Sequence, residues 1–173
     1  MFEGRKHDKG LFRYLAGLLA AIGLFVSCST MHYVRVNHDQ TERIADSLYR
    51  KNKNAFYITS SYATISTVWT YEKDVILVYR LAKGRIKGKQ SFQRMAPVPF
   101  SEVSFEDLKT ELYQKCPMEL DGDVFGLVLE TDLGKTRFDF PTDINGMKRV
   151  DFGSALLQML VDDIVSCDLW DVE

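Results

Sequence analysis

The sequence predicts an α+β fold: a single domain with a largely antiparallel sheet and about three helices packed on it. Three observations carry this expectation. Strand-like runs cluster between residues 55 and 95, and a second group lies between 124 and 140. Three separate stretches repeat apolar residues at helical spacing. Strands and helices do not alternate strictly, and no Rossmann glycine signature is present. The helices are expected on one face of the sheet.

Taken in order, Met31 to Asn37 alternates loosely and predicts a short first strand. His38-Asp39-Gln40-Thr41-Glu42 then opens a helix, with Asp39 and Glu42 spaced as a variant capping box. Ile44, Ala45, Leu48 and Tyr49 recur at helical spacing and should face a core. Ala55 to Ser60 and Ala63 to Tyr71 predict strands. Val75 to Leu81 predicts a third, apolar on both faces until Arg80, as a central strand would be. Glu72-Lys73-Asp74 is the expected turn between the last two. Arg85 to Met95 is a fourth strand. Ile86, Gly88, Gln90 and Phe92 share one face, and Lys87, Lys89, Ser91 and Gln93 the other. Its lysines and glycines suit a sheet edge.

Ala96-Pro-Val-Pro-Phe100 breaks the sheet. Ser104 should cap the next helix, with Val103 and Leu108 as a hydrophobic staple. Phe105, Leu108, Leu112 and Cys116 form its inward stripe, and Pro117 stops it. Asp121-Gly122-Asp123 predicts a turn into a hairpin of Val124 to Thr131 and Lys135 to Phe140. Met147 to Asp151 reads as an extended link. Ser154 to Cys167 predicts the last helix, polar at Ser154, Gln158, Asp162 and Ser166 and otherwise apolar.

The chain is 46% hydrophobic and 27% charged, with four prolines, which excludes disordered and collagen-like classes. It carries 22 basic and 24 acidic residues; four basic and two acidic ones fall within residues 1–27, leaving 18 and 22. That acidic balance provides no global footprint for nucleic acid.

The N-terminus has its own pattern. Arg5, Lys6, Lys9 and Arg13 precede the apolar run Leu15 to Val26, which ends in Ser27-Cys28. A basic segment, a short apolar core and a small residue before a cut make a secretory signal. With Cys28 at the cut, the segment resembles the signal peptide of bacterial lipoproteins. Phe25 stands where that pattern prefers Leu, and Leu24 lies one step earlier. The resemblance covers residues 1–28 alone. It implies removal of residues 1–27, lipid such as palmitate on Cys28, and a domain held at a membrane outside the cytoplasm. The organisation is then a signal peptide at 1–27, a lipidated N-terminus with a first strand at 28–37, and an α+β domain at 38–173. An uncleaved anchor helix is the alternative, because no Asp, Glu, Lys or Arg occurs from Tyr14 to Val34. Both place the C-terminal part on the same side, since the positive charges precede the apolar run.

Once Cys28 is lipidated, Cys116 and Cys167 remain as an even pair in an oxidising compartment. A disulfide between them and two buried free thiols are both open. His32 and His38 fall on one side of the expected first strand, yet sequence places no third metal ligand beside them. Glu119, Asp121 and Asp123 offer oxygens without the spacing of a calcium loop. No metal or other cofactor is expected. Lys83, Arg85, Lys87, Lys89 and Arg94 form a basic stretch suited to anionic headgroups, an acidic glycan or an acidic partner, or to a solvated edge.

No Gly-x-Ser-x-Gly, phosphate loop or Cys-x-x-Cys occurs. The leading expectation is a non-enzymatic lipoprotein, binding or scaffolding within a cell-envelope assembly. It meets an envelope protein partner at the basic edge and has no nucleic-acid role. A small-ligand binding domain, with Tyr57, Tyr62, Trp69, Tyr71 and Phe92 lining a pocket, is the alternative. A hydrolase with scattered residues comes third.

Overall fold

The computed structural model describes residues 35–51, 54–59, 65–72, 74–94, 104–131 and 134–167. The chain divides into two compact units, Met1–Tyr33 and Val34–Glu173, and the described residues all belong to the second.

Helix α1 covers residues 35–51. Residues 35–37, expected to end a first strand, are helical; residues 31–34 lie outside the described residues. The reason is a sheet-facing stripe at four-residue spacing, of which the first half is polar. Asn37, Thr41, Ala45 and Tyr49 are all buried. Asn37 Nδ2 donates to Ser66 Oγ at 3.1 Å, and the Thr41 hydroxyl lies 2.5 Å from the same oxygen. Asp39 is therefore an exposed interior residue of the helix and not its cap.

Six strands follow: β1 (Asn54–Thr59), β2 (Ile65–Glu72), β3 (Val75–Ala82), β4 (Arg85–Gln93), β5 (Met118–Thr131) and β6 (Gly134–Thr142). They form one antiparallel sheet in the order β4-β3-β2-β1-β5-β6. The expected edge strand, β4, is at an edge. The tight β3–β4 connection is Lys83-Gly84, with φ of 51° and 70°. Two positive φ values suit a two-residue hairpin turn whose twist matches the strands.

Helix α2 (Phe105–Lys115) begins where the sequence predicts, with Ser104 Oγ accepting from the Asp107 amide. Val103 of the expected staple lies outside the described residues. The Asp121-Gly122-Asp123 turn is instead a widened part of β5. Met118 and Asp123 both oppose Thr142, and the ladder shifts register between them. The expected link at 147–151 begins inside a short helix, α3 (Ile144–Met147), because Asp143 caps it and Met147 is buried. Helix α4 (Ala155–Ser166) is capped by Ser154 and is mostly buried.

The sequence predicts helices on one face of the sheet; instead they cover both. Side chains alternate along a strand, so each strand serves both sides. One side places Ala55, Tyr57, Val68, Leu77, Tyr79, Leu81 and Val128 against Ala45 and Tyr49 of α1. The other places Phe56, Ile58, Trp69, Tyr71, Phe125, Leu127 and Phe140 against α2, α3 and α4. Phe56 and Trp69 stack there with ring centroids 4.8 Å apart. Covering on both faces explains why the central strands are apolar throughout.

Candidate functional site

The basic edge predicted from sequence is largely present. Lys83, Arg85, Lys87 and Lys89 are exposed on the β3–β4 hairpin. No acidic residue occurs from Val75 to Arg94. Among the described residues, none of these four forms an ion pair. The Lys89 ammonium lies 5.3 Å from the Tyr79 ring centroid, where the aromatic face favours a cation.

Arg94 departs from this group. Its Nη1 lies 2.6 Å from each carboxylate oxygen of Asp163, and the Arg94 side chain is 16% exposed. Tyr71 donates its hydroxyl to Asp163 Oδ2 at 2.7 Å. Burial pushes the Asp163 carboxyl up, and the hydrogen bonds from Tyr71 and Arg94 oppose that shift. Burial also raises the Tyr71 phenol strongly. Arg94 is thus a structural cation joining the end of β4 to α4. Strand parity carried a signal: Arg94 shares the face of Phe92, two residues earlier.

Sequence reasoning missed a second polar cluster, between α1 and the β6 edge. Tyr57, Gly126 and Asp139 form one row across β1, β5 and β6. Gly126 supplies no side chain, so the Tyr57 ring lies over it and its hydroxyl reaches Asp139. A Cβ on Gly126 would stand 2.1 Å from Tyr57 Cζ. Arg137, two residues before Asp139 on the same face, donates to Tyr57 at 2.8 Å and to Asp139 at 3.1 Å, and also pairs with Glu42. Glu42 lies 3.0 Å from His38 Nε2, one helical turn away, while His38 Nδ1 is 3.1 Å from Thr59 Oγ1. The visible signal was the i, i+4 pair His38/Glu42 and the i, i+2 pair Arg137/Asp139.

This cluster clarifies the metal question. His38, Glu42 and Asp139 each offer a ligand atom, all within 4.8 Å of one another. Arg137 already supplies the cation there, bridging both carboxylates, so the donor set is neutralised by the protein itself. Burial depresses Arg137, but the nearby Tyr57, Asp139 and Glu42 outweigh it and keep the guanidinium charged. His38 is helical and does not pair with His32 on a strand; His32 lies outside the described residues. Glu119 is exposed and Asp123 half-buried at the widened start of β5.

The aromatic residues proposed to line a pocket are divided between the two cores. Tyr57 faces α1, Trp69 and Tyr71 face the other helices, and Tyr62 lies outside the described residues. A small cleft beside Trp69 is lined also by Ile58, Asp123, Ile144, Asn145, Lys148 and Ile164. Cys116 and Cys167 are two buried free thiols in the same core, each pushed up by burial. Cys28 and the signal segment lie outside the described residues. Among those residues, no helix is long and apolar enough to cross a membrane. No family model, curated protein or solved structure matches the chain.

Proposed function

We propose that this chain is a membrane-tethered lipoprotein of the bacterial cell envelope, a non-enzymatic binding or scaffold component attached through lipid on Cys28. The observation that carries the binding role is the β4 edge. It combines an outer strand side that has no strand partner among the described residues with exposed Lys83, Arg85, Lys87 and Lys89, none of which forms an ion pair among those residues. Arg94 is not part of this surface. A partner strand adding to β4 would gain main-chain hydrogen bonds, and its acidic side chains would meet the lysines. The other ionisable clusters are consumed by internal pairing, which supports binding over catalysis. The split of the aromatics between two cores disfavours a small-ligand pocket.

Two measurements test this reading. Cys28→Ala should block lipoprotein processing, seen as retention of the full chain mass. An unchanged mass with equal membrane attachment would replace the lipid with an anchor helix. The pair Lys87→Glu and Lys89→Glu should leave folding intact and abolish capture of the envelope partner. Capture unchanged at low and high salt would leave the lysines a purely protective role at an edge.

A further inference from the structure

We infer that the tip of the β3–β4 hairpin docks on an anionic phospholipid surface and sets the orientation of the tethered domain. This rests on the lipid-anchor reading of Cys28. Only six residues separate Cys28 from Arg35, the first described residue of α1. Chain of that length reaches on the order of 20 Å when extended, so the start of α1 must stay near the membrane.

The hairpin tip is fastened to that same end of α1. The Gly84 amide donates to Asn37 Oδ1 at 3.2 Å. A Cβ on Gly84 would meet Gln40 side-chain atoms at 3.3 Å, so the turn lies directly against the helix. Asn37 is itself held by Ser66 of β2, which makes the junction rigid. Whatever approaches the start of α1 therefore also approaches Lys83 and Gly84.

The chemistry displayed there suits lipid headgroups. Lys83, Arg85 and Lys87 are exposed within five residues, with no ion-paired acid among the described residues. Ile86 lies between them at 50% exposure, and Val36 beside Asn37 is 43% exposed. Basic groups attract anionic headgroups, while isolated apolar side chains enter the interface. Docking the tip takes Lys83, Arg85 and Lys87 onto the membrane and narrows the surface left for the protein strand proposed above to the more distant half of β4, from Lys89 to Gln93.

The test uses the full chain reconstituted into zwitterionic vesicles with or without phosphatidylglycerol. Surface lysines are acylated by a water-soluble reagent and read by mass spectrometry. Lys83 and Lys87 should label several-fold less in the phosphatidylglycerol vesicles, while Lys109 and Lys148 label equally in both. High salt and Ile86→Ser should each restore much of the labelling. Equal labelling of Lys83 and Lys87 in the two vesicles overturns the inference. Protection found only in native membranes, and not in these vesicles, also overturns it and assigns the tip to a protein. Flotation of the same samples reports the tether separately. If Cys28→Ala floats like the unaltered chain, the lipid reading fails while the labelling contrast still decides the surface.

Discussion

The two faces of the sheet are held by different physics. Toward α1 the contact is mixed: Asn37, Thr41 and Ser66 bond beneath the helix, Glu42, Arg137, Asp139 and Tyr57 interlock, and Lys135 reaches Asp46 at 2.5 Å. Tyr49 adds a hydrogen bond to Glu130, which with burial pushes its phenol up to about 12. Toward α2, α3 and α4 the contact is almost wholly apolar, and Asp163 is the one buried charged residue there among the described residues. Apolar burial is non-directional, so the three-helix side tolerates exchange of one hydrophobe for another of similar size. Bonded polar groups fix one position, so the α1 side specifies where its helix sits.

The largest expected effect tests the exception on the apolar side. Arg94→Ala leaves the Asp163 carboxylate buried without its cation and should cost about 3–5 kcal/mol in chemical denaturation. A loss below about 1 kcal/mol would mean that Arg94 is the surface residue its sequence context suggested.

Next comes the row beneath α1. Gly126→Ala should cost about 1–3 kcal/mol by forcing Tyr57 off its seat. Tyr57→Ala should cost less when Gly126 is already Ala than alone, because the two changes act on one contact. Strict additivity in the double variant would disprove that coupling.

A third measurement concerns acid. Glu111 on α2 accepts from the Gly153 and Ser154 amides and pairs with Lys115 at 2.9 Å, securing the start of α4. Burial alone would raise its carboxyl, but these partners hold it below the usual carboxylate range. A depressed folded-state value stabilises the protein fully above the unfolded value, and the gain disappears as pH falls through the folded value. Glu111→Gln should therefore cost about 1 kcal/mol at neutral pH, and the gap should close in acid. A gap independent of pH would reassign the effect to packing. The smallest effect belongs to Lys135→Ala. Its exposed pair with Asp46 should contribute less than about 1 kcal/mol and fade with added salt.

Most of the element order was legible because the strands carry β-branched and aromatic runs and both long C-terminal helices have Ser caps. The side of the sheet chosen by α1 was not legible, since an amphipathic stripe says that a helix buries a face and not which layer receives it. That residues 35–37 are helical was hidden by Asn37 and Thr41, polar residues that are buried because Ser66 lies opposite. Asp163 was passed over beside the exposed Asp162, although it continues the stripe of Leu156 and Met159 at helical spacing. The basic edge was readable because exposed charge needs no partner to be recognised. Arg94 and the Arg137 cluster were not, because their roles depend on residues 69 and 95 positions away, Asp163 and Glu42.

The widened stretch of β5 has a consequence for how this chain can vary. Met118 and Asp123 face the same partner residue, so the ladder on either side does not count what lies between them. Leu120 is 89% exposed there. A change in the number of residues at that point lengthens a protrusion without moving any inward side chain to the wrong face. Where the central strands pair regularly, a one-residue slip would turn the core outward. The sheet thus gives the chain slack at this point, and a smaller irregularity between Arg80 and Leu81 on the β3–β4 ladder, beside regular pairing that has none.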